Sequence, residues 1–227
     1  MWPERSSRVC LRAARGNADT LPPGIPRKRG LSGIVLRNFR AKRGGFAVGP
    51  IDLEVDYGER ALIYGPNGSG KTTILLGIIG AADADGGVSV AGQEISNLPI
   101  HERGVSYVPA HPVLPGWITV NEMLRMTGRR ETAVDLLERF NLGWARNRPT
   151  NALSTGERKL VQILVALSSD TRALLLDEPF SNLSRSWASH LEELLRSEPR
   201  PMMLTHHEWI PKFDKYLRLP LTVQEDG

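Results

Sequence analysis

Residues 65–72, GPNGSGKT, constrain the fold more than any other part of this sequence. They have the spacing G-x-x-x-x-G-K-[ST], in which glycines let consecutive backbone N–H groups converge on phosphate oxygens. The segment before them, RALIYG, is typical of a short buried strand, and the apolar residues that follow Lys71 predict a helix. A strand, a glycine loop and a helix in this order predict an α/β core that binds a nucleotide.

The side chains of this loop have predicted roles of their own. Lys71 is expected to reach the β- and γ-phosphates, and Thr72 is expected to ligate Mg²⁺. The predicted nucleotide-binding residues are Gly65, Pro66, Asn67, Gly68, Ser69, Gly70, Lys71, Thr72 and Thr73.

Two later segments supply further groups for phosphate chemistry. The stretch ALLLDEP places Asp177 and Glu178 at the end of an apolar strand, and in a parallel sheet that end lies beside the phosphate loop. Asp177 is expected to hold Mg²⁺ and Glu178 to polarise the attacking water. The stretch LTHH follows another apolar strand, where a histidine with a pKa near neutrality could sense the γ-phosphate.

The order of the other elements predicts a layered fold. Strand patterns recur on both sides of the phosphate loop, at residues 33–39, 51–55, 87–95, 104–109, 173–176, 202–205 and 215–220. The pattern between about residues 111 and 170 is helical instead. We predict an α/β P-loop nucleotide-binding core with a mixed sheet and a helical subdomain.

The stretch LSTGERKL, residues 153–160, has two interpretations. Ser154 followed three residues later by Glu157 is a capping box, in which each side chain binds a free backbone N–H at a helix start. The same helix start, with its free N–H groups and the positive end of the helix dipole, is also suited to a phosphate.

In this order, the segments GPNGSGKTT, LSTGERKL, LLLDEP and LTHH resemble the motifs of the ATP-binding cassette (ABC) family, the nucleotide-hydrolysing subunits of ABC transporters. The resemblance covers about residues 33–220, and LSTGERKL occupies the place of the family signature, L-S-G-G-Q. It implies an ATP hydrolase in which two cassettes hold ATP and Mg²⁺ between them, head to tail. The signature of one cassette then binds the γ-phosphate held by the phosphate loop of the other.

The resemblance also implies roles for individual residues and partners. Glu178 is implied as the catalytic base and His206 as the switch histidine, and the signature residues acting in trans are Ser154, Thr155, Gly156 and Glu157. The implied partners are a second ATPase subunit and a transmembrane permease. For the pair of ATPase subunits, a homodimer is expected rather than a heterodimer. The chain would then be peripheral on the cytoplasmic face of the cell membrane. The stretches LPIHERGVSYVP and VLPGWITVNEML resemble importer cassettes in particular.

Several positions depart from the family pattern. Ala110 stands where the family has a glutamine that reaches Mg²⁺ and the membrane partner, with His111 as a substitute next to it. Thr155 and Glu157 replace a glycine and a glutamine of the signature. Ser184 replaces the aspartate of the loop after LLLDEP.

The aromatic residue that stacks on adenine in this family is expected near position 42. Lys42 and Arg43 occur there, and Phe39, Phe46 or the guanidinium of Arg43 could stack in its place.

The basic charge of the chain is concentrated near its start. Residues 1–30 carry seven basic side chains against two acidic ones, whereas the net charge of the whole chain is only +4. We predict that residues 1–32 are a disordered basic arm. Residues 33–227 are predicted to form a single ABC ATPase domain, with its helical subdomain at about 111–170. We also predict that no nucleic acid is bound. No apolar run reaches the roughly 18 residues of a membrane span, so membrane association requires the permease.

Two other functions stay open at this stage. One is a soluble, single-cassette ATPase of the same family. The other is a catalytically weak regulatory half of a heterodimeric transporter, which the altered signature favours and the intact Glu178 and His206 oppose.

Overall fold

The computed structural model describes residues 33–220, so the predicted arm of residues 1–32 lies outside the described residues. The strands are β1 (Ile34–Arg43), β2 (Phe46–Val55), β3 (Arg60–Tyr64), β4 (Asp83–Val90), β5 (Gln93–Glu94), β6 (Val105–Val108), β7 (Ala173–Leu176), β8 (Met202–His206) and β9 (Lys215–Arg218). The helices are α1 (Lys71–Ile79), α2 (Val120–Arg125), α3 (Arg130–Arg139), α4 (Thr155–Leu167) and α5 (Arg185–Ser197).

The strands form two sheets. An antiparallel sheet has the order β2-β1-β4-β5, and a parallel sheet has the order β6-β7-β8-β3-β9. In the parallel sheet, Tyr64 of β3 lies beside His206 of β8, and Leu176 of β7 lies beside Leu204 of β8. The carboxyl ends of β3, β7 and β8 therefore meet at one edge. The predicted α/β class is confirmed, with the parallel and antiparallel strands in two sheets.

Helix α1 packs between the two sheets, so its apolar side chains are buried almost all the way round the helix. Ile74 and Ile78 of α1 belong to one core with the inner face of β1. Strand β3 alternates across the parallel sheet, with Ile63 in this core and Leu62 in a second core formed with α2, α3 and α4. Both faces of the parallel sheet are therefore covered, as the uninterrupted apolar sequence of its strands requires.

Arg103 closes the far end of α1. Its guanidinium donates hydrogen bonds to the backbone carbonyls of Ile78 (2.7 Å), Ser96 (2.7 Å) and Leu98 (2.8 Å), and the residue is 7% exposed. The carbonyls in the last turn of a helix have no partner within the helix. One buried cation therefore joins the last turn of α1 to the segment between β5 and β6.

Capping boxes begin α2 and α4. In α4 the hydroxyl of Ser154 accepts from the N–H of Glu157, and the Glu157 carboxylate accepts from the N–H of Ser154. Thr119 and Glu122 make the same pair of bonds at the start of α2. The predicted capping box at Ser154 is therefore confirmed. Within residues 33–220, no helix has the length and apolar character needed to cross a bilayer.

Candidate functional site

The phosphate loop connects β3 to α1, as its sequence predicts. Gly65 has a φ of 154°, and a Cβ at this position would lie 2.2 Å from the carbonyl oxygen of Leu219, so only glycine fits. Gly70, the N-cap of α1, has a φ of 100°. These two glycines allow the sharp turn that directs the N-terminal N–H groups of α1 toward a cavity of about 310 Å³.

Lys71 is held inside the loop. Its ammonium donates to the carbonyls of Gly65 (2.8 Å) and Pro66 (3.0 Å), which leaves one of its three N–H donors for a phosphate oxygen. Burial lowers the pKa of Lys71, and the nearby carboxylates of Glu178 and Asp177 act in the opposite direction. The hydroxyl oxygen of Ser69 is buried without a hydrogen-bond partner among the described residues, which fits a loop that accepts a polar ligand.

Asp177 lies 1% exposed at the end of β7 and receives hydrogen bonds from two threonines. The hydroxyl of Thr72 donates to its Oδ2 at 2.7 Å, and the hydroxyl of Thr205 donates to its Oδ1 at 2.5 Å. Tyr107 also donates to Oδ2, at 3.5 Å, and burial next to Asp177 raises the pKa of this phenol. A carboxylate and a hydroxyl in contact provide the oxygen ligands that Mg²⁺ prefers, so these residues fit the ion.

Glu178 lines the same cavity as residues 67–73. Its backbone is left-handed, with φ at 45°, a conformation that costs a non-glycine residue about 1–2 kcal/mol. The surrounding hydrogen bonds hold it there. The Glu178 N–H donates to the hydroxyl of Thr205 at 2.9 Å, and the Glu178 carbonyl accepts from the N–H and hydroxyl of Ser181.

Lys159, in the second turn of α4, approaches the same turn from the opposite side. Its ammonium donates to the carbonyls of Pro109 (2.7 Å), Ala110 (2.9 Å) and Asp177 (2.9 Å), and the side chain is completely buried. Burial lowers the pKa of Lys159 to about 8, against the opposing effect of Asp177 and Glu178. The side chain is therefore still mainly protonated at pH 7 and has three N–H donors for three carbonyls.

His206 ends β8 next to the phosphate loop. The N–H of Gly65 donates to the His206 carbonyl at 3.3 Å, and the His206 Nδ1 lies 3.1 Å from the N–H and 3.0 Å from the carbonyl oxygen of Glu208. In the tautomer in which Nδ1 accepts from this N–H, the proton of the neutral ring is on Nε2 and can be donated to a ligand. Burial lowers the pKa of His206, which favours the neutral ring. His207 stacks on it and is exposed.

The structure separates the candidates for adenine stacking. Phe39 is completely buried in the core, and the described lining of the phosphate-loop cavity does not include it. Phe46, 43% exposed, and Arg43 are paired across the β1–β2 hairpin, and both line the cavity beside the phosphate loop. Lys42 is exposed, and the described residues that line this cavity do not include it.

The four signature residues lie at the start of α4, and the described lining of the phosphate-loop cavity does not include them. The capping box turns the Glu157 carboxylate back onto Ser154, which leaves the hydroxyl proton of Ser154 free to be donated. Thr155 is exposed. A Cβ at Gly156 would lie 2.6 Å from the carbonyl oxygen of Asn182, so the signature packs on the loop after β7 of the same chain.

The departures from the family pattern also have structural roles of their own. Ala110 contributes its carbonyl, which Lys159 binds, and the neighbouring His111 is exposed. Ser184 is the N-cap of α5, where its hydroxyl accepts from the N–H of Trp187 at 3.2 Å. A comparison of this position with the family aspartate does not reveal the capping role.

Three residues of the site were missed from the sequence. Thr205 and Tyr107 contact Asp177 from neighbouring strands, which single-strand patterns do not reveal. Lys159 did carry a signal, since it lies on the same helical face as Ile163 and Ala166, at i, i+4 and i+7. A lysine on a buried helical face requires partners.

A strand, a glycine loop and a helix, with a buried Asp–Thr pair and a lysine at the loop, define a P-loop nucleotide-binding protein. The profile of the family described as ABC transporter matches residues 48–181, more than half of this chain. The chain belongs to the ABC transporter family. It is an ATP-binding and ATP-hydrolysing subunit of that family, as the sequence motifs predicted.

Similar proteins agree with this membership. The lipopolysaccharide export system ATP-binding protein LptB of Haemophilus influenzae is 33% identical over 190 residues, which cover 76% of this chain and 78% of that protein. The sulfate/thiosulfate import ATP-binding protein CysA of Bradyrhizobium diazoefficiens is 36% identical over 190 residues, which cover 77% of this chain and 53% of that protein. This chain therefore spans about half the length of that import protein.

A solved structure of an ATP-binding subunit of an ABC transporter has the same fold. It superposes with a TM-score of 0.68 at 22% identity, covering 78% of this chain and 80% of that chain.

Proposed function

We propose that this chain binds Mg-ATP with residues 65–73 and hydrolyses it to drive a transmembrane permease. The observation that carries the proposal is the 2.7 Å hydrogen bond from Thr72 to Asp177, at a loop where Lys71 retains an N–H donor. Thr72 and Asp177 would hold Mg²⁺, which neutralises charge on the phosphates when it is bound. Lys71 and the N-terminal N–H groups of α1 bind the phosphate oxygens.

Glu178 is the proposed general base. It lines the cavity of the phosphate loop, and its backbone is fixed by Thr205 and Ser181, so the carboxylate can orient and polarise the attacking water. His206 is the proposed γ-phosphate donor, because its backbone is bound to Gly65 and its Nε2 can carry the proton. Phosphoryl transfer depends mainly on such positioning and on charge stabilisation.

A second copy of the cassette completes the proposed site. The signature residues Ser154–Glu157 lie outside the phosphate-loop cavity of their own chain, at the N-terminus of a 13-residue helix. The Ser154 hydroxyl and the N–H groups of α4 are suited to a phosphate held by the partner. Glu157 does not oppose this contact, because its carboxylate is bound back to Ser154. We propose a homodimer that closes on ATP.

The permease is proposed to dock on the helical part of the chain, at the cytoplasmic face of the membrane. Large apolar side chains are exposed there, namely Val113, Trp117, Met126 and Trp144, with Trp117 83% exposed. Exposed apolar side chains of this size are typical of interaction surfaces. We propose that residues 33–227 form one ATPase domain and that residues 111–170, which contain α2, α3 and α4, form its helical subdomain. The relatives act in an export and an import system, and the cargo is proposed to be selected by the permease.

Sedimentation of the Glu178→Gln variant, with and without Mg-ATP, tests this function. Replacement of the base should abolish turnover while ATP still binds, so the closed dimer accumulates and the mass doubles only with Mg-ATP. The matched control is Glu193→Gln, which changes an exposed glutamate of α5 and should leave turnover unchanged. A Glu178→Gln variant that hydrolyses ATP at the wild-type rate would refute the assignment of the base. One that binds ATP and stays monomeric would refute the homodimer.

A further inference from the structure

The peptide bond between Asp177 and Glu178 is held at both ends. Its N–H, on Glu178, donates to the hydroxyl of Thr205 at 2.9 Å, and its carbonyl, on Asp177, accepts from the ammonium of Lys159 at 2.9 Å. This peptide plane sets the backbone of Glu178, which has the unfavourable φ of 45°. The direction in which the Glu178 side chain leaves the strand end therefore depends on both bonds.

Lys159 joins this peptide to two other parts of the molecule. The same ammonium binds the carbonyls of Pro109 and Ala110, in the loop after β6, and the side chain belongs to α4. Gly156, one turn earlier on α4, packs against the carbonyl of Asn182, at the other end of the segment that follows β7. The first turns of α4 therefore support this segment on both sides of Glu178.

We propose that Lys159 is a positioning residue for Glu178, which ties α4 and the loop after β6 to the peptide that precedes the catalytic carboxylate. The inference rests on the proposed function, because it takes Glu178 to be the base. It assigns to Lys159 a part in hydrolysis and none in nucleotide binding, since its three bonds all go to backbone carbonyls outside the phosphate loop. An error in the position of a catalytic group of about 1 Å can cost about a hundredfold in rate.

Steady-state ATP hydrolysis by the full chain tests the proposal with four variants. Lys159→Met keeps the length of the side chain and removes every N–H donor. Lys159→Arg restores a buried cation with several donors. The matched control is Arg103→Met, which removes another buried cation bound to three backbone carbonyls, at the end of α1 opposite the phosphate loop. Glu178→Gln reports on the proposed function itself. Turnover is expressed per nucleotide-binding site, titrated with a fluorescent ATP analogue, so that only folded protein is counted.

Lys159→Met is expected to lower kcat at least tenfold, while KM for ATP changes less than threefold. Lys159→Arg is expected to recover at least half of this loss in kcat on a logarithmic scale. Arg103→Met should reduce the yield of folded protein but keep kcat within twofold of wild type. A loss of less than tenfold in Lys159→Met, or an equal loss in Arg103→Met, would overturn the proposal. Should Lys159→Met not fold, Lys159→Gln is measured by the same criterion. A Glu178→Gln variant that keeps the wild-type rate would instead show that the proposed function has failed.

Discussion

The buried ammonium of Lys159 predicts an unusual pH dependence of stability. Burial lowers its pKa from 10.5 to about 8 in the folded chain, whereas in the unfolded chain the group is solvated and titrates near its ordinary value. Between these two values the unfolded chain binds more protons than the folded chain, so the contribution of this group to the free energy of unfolding rises with pH. Below pH 8 the folded state carries the full cost of burying the charge.

The expected size follows from the two pKa values. A shift of this magnitude corresponds to about 3 kcal/mol in total, at about 1.4 kcal/mol per pKa unit. From about pH 7.5 to about pH 9.5, roughly 2 kcal/mol of it is recovered by proton release from the folded chain. Lys159→Met has no proton to release, and the titration of all other groups cancels when the two proteins are compared.

Urea denaturation of wild type and Lys159→Met at a series of pH values measures this difference. The free energy of unfolding of wild type minus that of the variant should increase by about 2 kcal/mol over this interval. A difference that stays constant within about 0.5 kcal/mol, or that decreases with pH, would refute the argument that the ammonium is desolvated.

Three other predictions follow from single contacts. Ser154→Ala and Thr119→Ala each remove a capping-box hydroxyl and should lower the free energy of unfolding by about 1 kcal/mol. Only Ser154→Ala should also reduce ATP turnover. Equal turnover by the two variants would contradict the role of Ser154 in trans. Phe46→Ala should raise KM for ATP at least about fivefold, since stacking on a base is worth about 1–3 kcal/mol. Tyr57 is also exposed, and Tyr57→Ala should leave KM unchanged. A similar effect of both substitutions on KM would exclude Phe46 from the nucleotide site. Gly77→Ala would place a Cβ 2.8 Å from a methyl group of β1. The free energy of unfolding, measured by urea denaturation, should fall by about 1–3 kcal/mol, although alanine has the better helix propensity. A more stable variant would contradict the close packing of α1 on β1.

The sequence predicted those features of the site that depend on neighbouring residues. The phosphate loop, the helix that begins at Lys71 and the capping box of Ser154 are local, because each is specified by the spacing of a few residues. The strand ends at Asp177 and His206 were also predicted, since a buried parallel strand has a continuous apolar sequence.

Contacts between distant segments could not be predicted in this way. Thr205 binds Asp177 across 28 residues, and Lys159 binds Pro109 across 50 residues, so neither contact leaves a periodic signal in the sequence. The adenine candidates show the same limit. Phe39 and Phe46 are both aromatic residues near the expected position, and only the register of the β1–β2 hairpin shows that one is buried and the other borders the cavity.

The order of the parallel strands along the chain also constrains when ATP hydrolysis can begin. Neighbouring strands β3, β7 and β8 each carry one part of the site, and the bond from Thr72 to Asp177 joins residues 105 positions apart. During synthesis on the ribosome, the phosphate loop emerges long before the acidic pair and the histidine. A nascent chain can therefore carry a complete phosphate loop without being an ATPase, and nucleotide turnover reports that the last strand of the site, β8, has entered the sheet.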